Sequence, residues 1–294
     1  MLQTAGNNRH NPLQTDVLIF APHPDDETLG TAGVIMRSLA AGLRVHVVFF
    51  TNGDGYEDLI SLVLGKPPSE LQLENYLQLA YTRQQEVFKA SAILGLPPCS
   101  LTFLGYPDAG LMTTYTNTGP LPYFHRYTGK QTTYASFAPD YHSRRFGHPA
   151  PYTNAAVLMD VSDIICTQRP RHIYVTSEAD WHQDHKAAYR FVRDAIQLTG
   201  YNGLLHTYLI HSGPATDSQW PWPRGVTPTL PFEAHEYQGQ QVPVGLPWPP
   251  PDRMPLTDRE ISRKLEAILA YRSQFPVDEA LLLAFIKNEE IFWR

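Results

Sequence analysis

The stretch DVLIFAPHPDDETLGTAGVIMRSLAAGLRVHVVFF, residues 16–50, decides the fold. Its opening, Asp16–Ala21, is a short apolar run bounded by polar residues and reads as a buried strand. After Pro22–Glu27, apolar and small side chains recur at helical spacing through Leu29, Ala32, Met36, Leu39 and Ala40, and Gly42 supplies the stop. Arg44–Phe50 is β-branched and aromatic, a second buried strand. Strand, helix and strand in so short a span form a βαβ unit, which implies a parallel pair with a right-handed crossover.

The alternation continues downstream. A long helical pattern runs from Ser69 to about Leu94 and ends at Gly95, with Pro97 and Pro98 behind it. Leu101–Leu104 is strand-like, Asn154–Thr167 helical, His172–Thr176 a strand, Lys186–Leu198 helical up to Gly200, and Leu204–Ile210 a further strand. The expected fold is α/β: a Rossmann-like, doubly wound, mostly parallel sheet with long loop insertions and C-terminal helices. Ligands of such sheets gather outside the carboxyl ends of the strands. The chain reads as a single domain over 1–294, with a polar N-terminal extension at 1–15 and loop insertions at 113–151 and 211–255 lying over the site. The second insertion holds eleven of the 26 prolines and three of the five tryptophans, a composition that favours an ordered covering. A helix entered through a Thr257–Glu260 capping box follows, then a last helix from about Val277 to Ile291.

Composition removes several function classes. With 294 residues and 43% apolar content the chain can bury a substantial core, so it is not disordered as a whole. Net charge is −6, from 23 basic and 29 acidic residues, with no lysine- or arginine-rich run, which argues against nucleic acid as a partner. The longest apolar runs fall far short of the ~20 residues of a membrane-spanning helix. Residues 1–15 have no apolar signal region, so a cytoplasmic location is expected. Cys99 and Cys166 are isolated thiols with neither disulfide nor zinc-ribbon spacing.

Two histidine–carboxylate clusters fall at the carboxyl ends of two of the expected strands. The first is His23-Pro24-Asp25-Asp26-Glu27 and the second Asp180-Trp181-His182-Gln183-Asp184-His185. Pro24 confines His23 to extended geometry, which lets His23 and Asp26 point into one space. Asp25 and Asp26 sit at a helix entrance, where orphan N–H groups favour ionised carboxylates. His23, Asp26 and one histidine of the second cluster make a mixed N/O donor set of the type zinc accepts in hydrolytic enzymes, with a fourth position for water. Asp25 stands beside a ligand without needing to be one, as a base for that water does. The other histidine of the second cluster stays free as an acid or oxyanion donor, with Asp184 placed to orient it. Taken alone, each cluster has a plainer account, a helix cap or surface polarity; their convergence at one sheet edge carries the metal-site reading.

At these residues the chain resembles the LmbE-like, or PIG-L, family of zinc-dependent N-deacetylases, which open on a strand running into A-H-P-D-D-E and carry a later H-P-D-H. Here Pro22 is inserted between Ala21 and His23, and Gln183 stands where proline is common. Thr51-Asn52-Gly53-Asp54-Gly55, Arg83 with Glu86, Leu104-Gly105-Tyr106-Pro107-Asp108, Ser273-Gln274 and Glu290-Ile291-Phe292 match further family signatures. The resemblance implies zinc bound by His23, Asp26 and His185, with Fe2+ or Co2+ able to take the same place. It implies Asp25 as general base, His182 as oxyanion stabiliser or proton donor with Asp184 as its partner, and Arg83 and Asp108 as sugar contacts. The implied reaction is hydrolysis of the N-acetyl, or N-acyl, group of an amino sugar such as an N-acetylglucosamine derivative. The competing readings are a metal-dependent phosphoesterase and a non-catalytic sugar-binding module. Glu27 and Asp180 read as supporting groups, His46 as a core histidine, and His125, His142 and His148 as non-ligands. Trp220, Trp222 and Trp248 read as anchors of their loop.

Overall fold

The computed structural model describes residues 15–213, 220–228, 235–237, 240–242 and 246–294. Of the expected polar extension at 1–15, all but Thr15 lies outside the described residues, as does part of the 211–255 insertion. In chain order the elements are β1 (Val17–Ala21), α1 (Asp26–Ala40), β2 (Val45–Thr51), α2 (Glu57–Leu64), α3 (Leu73–Leu94), β3 (Leu101–Tyr106), α4 (Leu111–Thr116), α5 (Tyr141–Phe146) and α6 (Asn154–Gln168). They continue with β4 (His172–Thr176), α7 (Gln183–Thr199), β5 (Leu204–Tyr208), β6 (His235–Tyr237), β7 (Gln240–Val242), β8 (Asp252–Pro255), α8 (Asp258–Ile268), α9 (Phe275–Ala284) and β9 (Glu289–Phe292).

Five strands form an all-parallel sheet in the order β3-β2-β1-β4-β5. The uninterrupted apolar runs of β1 and β2 follow from helices on both faces. Val17, Ile19 and Ala21, with Val47 and Phe49, face one core layer that includes Leu29 and Ile35 of α1 and Val87 of α3. Leu18, Phe20, Val48 and Phe50 face the other, with Val157 and Val161 of α6 and Phe191 and Val192 of α7. The glycine stops hold: α3 ends on Gly95 at φ 93° and α7 on Gly200 at φ 63°, the left-handed geometry that glycine adopts at least cost. The Thr257–Glu260 capping box opens α8.

Two elements differ from expectation. The pattern beginning at Ser69 is broken by a single 3-10 turn, Pro68–Glu70, and α3 starts only at Leu73. The helix expected over Val277–Ile291 is two elements: α9 stops at Ala284, and β9 pairs antiparallel with β8. Helical spacing carries on through Phe285 and Ile286, but Glu290 is drawn inward to accept hydrogen bonds from the Gly33 backbone N–H (2.9 Å) and Lys264 Nζ (2.8 Å). Trp293, just beyond β9, exchanges two backbone hydrogen bonds with Thr207, so the chain's last residues cover the edge strand β5.

Candidate metal centre

Strand order reverses between β1 and β4, the switch point at which the loops leaving two neighbouring strands diverge and open a crevice. His23 lies just beyond β1, His182 caps α7 at the end of the connection from β4, and His185 lies in the first turn of α7. The two clusters, some 160 residues apart (|i−j| 162 for His23 and His185), therefore flank one crevice.

The turn into α1 is strained. Asp25, its N-cap, sits at φ 124°, a conformation costly for a side-chain-bearing residue, and its N–H is held by Glu27 Oε2 at 3.1 Å. Glu27, fully buried, is in turn gripped by the hydroxyls of Thr28 (2.6 Å) and Tyr271. The turn lets Asp26 Oδ2 accept the His23 backbone N–H at 2.9 Å and brings that oxygen 3.3 Å from His23 Nδ1.

Three donor atoms converge. His23 Nδ1 and His185 Nε2 are 3.1 Å apart, and Asp26 Oδ2 is 3.3 Å from each. A tetrahedral zinc with N and O bonds of about 2.0–2.2 Å holds its ligands about 3.3–3.6 Å apart, so the spacing suits a divalent ion. Behind the triangle, His23 Nε2 lies 3.1 Å from Asp108 Oδ1, and His185 Nδ1 lies 3.1 Å from Asp180 Oδ2, an approach too oblique for a well-formed hydrogen bond. Carboxylates behind both imidazoles favour protons on the far nitrogens and leave lone pairs facing the centre. The field favours positive charge: burial lowers the His185 imidazole, but the carboxylates of Asp180 and Asp26 outweigh it and carry it to about 9. Burial raises the Asp108 carboxyl, and His23 and Arg83 overcome this and hold it well below the usual range.

Asp180 ties the crevice together. Its Oδ1 accepts the His182 N–H at 2.9 Å, and its Oδ2 accepts the Ile210 and His211 N–H groups, both at 3.0 Å, while facing His185. His182 caps α7 by accepting the Asp184 N–H on Nδ1 at 3.2 Å, which places its own proton on Nε2. Burial, then the neighbouring imidazoles, hold His182 well below its ordinary pKa, so it is a neutral donor. Asp184 does not turn its carboxylate to His182 as the sequence suggests: its oxygens accept the Ala109 (2.6 Å) and Leu111 (3.0 Å) N–H groups, and Oδ2 lies 3.4 Å from His23 Nε2. Its place in the first turn of α7 aims it across the sheet edge at the loop after β3.

Arg83 and Asp108 both line the cavity at this edge, whose volume is about 400 Å3. Arg83 turns its terminal nitrogens to the chain itself, Nη2 to Asp25 Oδ2 (2.9 Å) and the Pro24 carbonyl (2.6 Å) and Nη1 to the Gly53 carbonyl (3.3 Å), while its buried Nε–H has no partner among the described residues. Asp108 Oδ2 accepts the Gly55 N–H at 2.6 Å. Two distant segments meet here, as Glu86 of α3 accepts the Ser273 N–H and hydroxyl at 2.8 and 2.6 Å. His211 lines the cavity with its ring centroid 5.0 Å from that of His185, and sequence reasoning missed it. It opens a proline- and tryptophan-rich run without periodicity; its place just past the last parallel strand was the usable signal.

The remaining histidines lie elsewhere. His46 Nε2 is 2.9 Å from the Thr102 hydroxyl, His142 Nδ1 is 2.7 Å from Asp160 Oδ1, and His148 is exposed. Fully buried His125 stands 2.8 Å from the Asp108 carbonyl, so the 113–151 stretch backs the site. None of its residues lines the cavity among the described residues, whereas His211, Gly213, Trp220 and Pro221 of the second insertion do. Trp220 donates to the Leu209 carbonyl at 2.6 Å and Trp248 to that of Pro228 at 3.1 Å, so both are tied to backbone.

Sheet order and donor triangle together define a Rossmann-like α/β protein with a His/Asp set able to hold a metal ion. The chain belongs to the PIG-L family, described as GlcNAc-PI de-N-acetylase, whose model matches residues 18–196. It is 29% identical over 189 residues to the 1D-myo-inositol 2-acetamido-2-deoxy-alpha-D-glucopyranoside deacetylase of Rhodococcus opacus (strain B4), covering 63% of this chain and 54% of that relative. The chain thus spans about half the length of that curated relative. A conserved protein of Thermus thermophilus superposes with a TM-score of 0.55 at 22% identity, over 95% of this chain and 94% of the other. The N,N'-diacetylchitobiose deacetylase of Pyrococcus horikoshii does so with a TM-score of 0.52 at 18% identity, over 96% and 85%. These two likenesses show the fold. Among the described residues no helix is long and apolar enough to cross a membrane.

Proposed function

We propose that this chain is a zinc-dependent hydrolase that removes the N-acetyl group of an amino sugar such as an N-acetylglucosamine derivative. The observation that carries the reading is the triangle of His23 Nδ1, Asp26 Oδ2 and His185 Nε2, with edges of 3.1–3.3 Å. These three residues would hold the ion, which supplies a Lewis acid for the amide carbonyl and acidifies water from about 15.7 toward about 7. Asp25, 2.9 Å from the Arg83 guanidinium, takes the proton from the attacking water and passes it to the departing nitrogen. Nε2–H of His182 donates to the oxygen on which negative charge develops. Arg83 fixes the strained Asp25, and Asp180 holds the His182 backbone and faces His185.

Charge supports an amide over a phosphate ester. Asp25, Asp26, Asp108 and Asp278 all line the cavity, and the guanidinium among them is committed to Asp25. Such a wall repels a phosphate dianion and favours an amine leaving as a cation. The complete donor set and base likewise favour an enzyme over a binding module. The relatives named above as deacetylases of acetamido sugars support the substrate class. Metal analysis of the purified protein beside an acetate-release assay on N-acetylglucosamine compounds tests the reading. One zinc per chain with acetate release is expected; phosphate release from sugar phosphates without acetate release would sink it.

A further inference from the structure

The cavity changes character along its length. On α1, Asp26 is followed one turn later by Leu29; on α9, Asp278 is followed one turn later by Leu281 and Leu282, and all five line the same cavity. Residues at i, i+3 and i+4 share a helix face, and one turn advances about 5.4 Å. Both helices therefore carry the wall from carboxylates to hydrocarbon over about 5 Å. Ile210, adjacent to His211, and Trp220 complete the apolar end. The indole is held rigid by its 2.6 Å bond to the Leu209 carbonyl and by edge contact with Phe285, centroids 5.9 Å apart.

We propose that this apolar arm is a subsite for the hydrocarbon chain of an N-acyl group longer than acetyl. This rests on the amide-hydrolase reading above. If the scissile carbonyl lies at the donor triangle, the sugar hydroxyls need the polar end, where Gly55, Tyr56, Asp108 and Asp278 stand. The substituent left to enter the arm is the one on the carbonyl carbon. Hydrolysis adds water across the amide C–N bond, giving a free carboxylic acid and the amino sugar; a longer chain alters binding and not that balance. A methyl group does not reach along the half-buried Leu281 or the cavity-facing edges of Leu282 and Trp220, whereas each methylene placed beside them leaves water.

The test compares kcat/KM of the zinc-loaded protein for N-acetyl-, N-butanoyl- and N-hexanoylglucosamine by amine release. The expected result is a rise of about fourfold per buried methylene, continuing at least to butanoyl. A second arm holds the acetyl group constant and compares the methyl and octyl glycosides of N-acetylglucosamine. A flat or falling acyl series overturns the subsite, as does a gain that follows the glycoside chain alone. Leu281→Asn, at a half-buried position, flattens the acyl series; an unchanged slope in that variant also counts against the arm. Amine release from none of the N-acyl compounds overturns the hydrolase reading itself, a result distinct from release that ignores chain length.

Discussion

The guanidinium of Arg83, midway along α3, reaches the strained turn ahead of α1 and grips the Asp25 carboxylate at 2.9 Å across 58 residues of sequence. This relationship fixes the proposed base from outside its own segment. Asp25→Asn keeps the donor triangle and loses the base, so metal content stays and turnover falls by ~10²–10⁴. Equal turnover in that variant removes Asp25 from the mechanism. Arg83→Met is expected to lower kcat at unchanged metal content, about tenfold or more, since it leaves a buried carboxylate without its partner; a change confined to KM would point to a sugar contact instead.

Removing one corner of the triangle separates binding from chemistry. Asp26→Ala and His185→Ala are each expected to lose both the metal and the activity, read by metal analysis after dialysis and by acetate release. A variant that retains one ion per chain shows that the donor set lies elsewhere in the cluster.

Asp180 faces His185 and also holds the backbone of His182, Ile210 and His211. Asp180→Asn is expected to weaken affinity for the proposed metal ion by about 10–100-fold, the usual cost of disturbing a carboxylate behind a ligating histidine. A competition titration with a chromogenic chelator measures it, and unchanged affinity would leave Asp180 a loop anchor only.

Much of this was legible in the sequence. β1 and β2 are apolar on both faces because both are covered, and the glycines after α3 and α7 mark their ends without tertiary information. His23 and Asp26 could be paired on local grounds because Pro24 and the helix start restrict the turn. The direction of Asp184 was not legible: its partners, the N–H groups of Ala109 and Leu111, lie 75 and 73 residues away and have no side-chain signature. The split of the last helix escaped for a similar reason, since what draws Glu290 inward is α1 and Lys264. His211 escaped because a site residue on an aperiodic loop has only its distance from a strand end to mark it.

Lys264 is 2% exposed and donates to Glu290 Oε1 at 2.8 Å and to the Leu29 carbonyl at 2.7 Å. Lys264→Met leaves a buried carboxylate unpaired and is expected to cost about 3–5 kcal/mol, read from urea unfolding midpoints. A loss below about 1 kcal/mol would class the pair with weak surface bridges.

Burial, aided by Arg144, holds the His46 imidazole down at about 4, against an ordinary value of 6.5. Between those values the unfolded chain binds more protons than the folded one, so stability rises with pH across that window and is lost as pH falls through it. His46→Gln is expected to recover about 1–2 kcal/mol of the stability lost between pH 7 and pH 5, measured by denaturant titration at both values. The same loss in both proteins would assign the acid sensitivity to other groups.

The family match ends at residue 196, yet Glu290 steadies α1 and Tyr271 clamps Glu27 behind the strained turn. The segment from Tyr271 to Glu290 therefore works as a keystone. Every proposed metal donor precedes in sequence the segments that brace it, so a piece of the chain ending before Tyr271 carries the whole proposed ligand set without the frame that gives it shape. Cleavage ahead of Tyr271 would thus disarm the cluster while leaving each of its reactive groups in place.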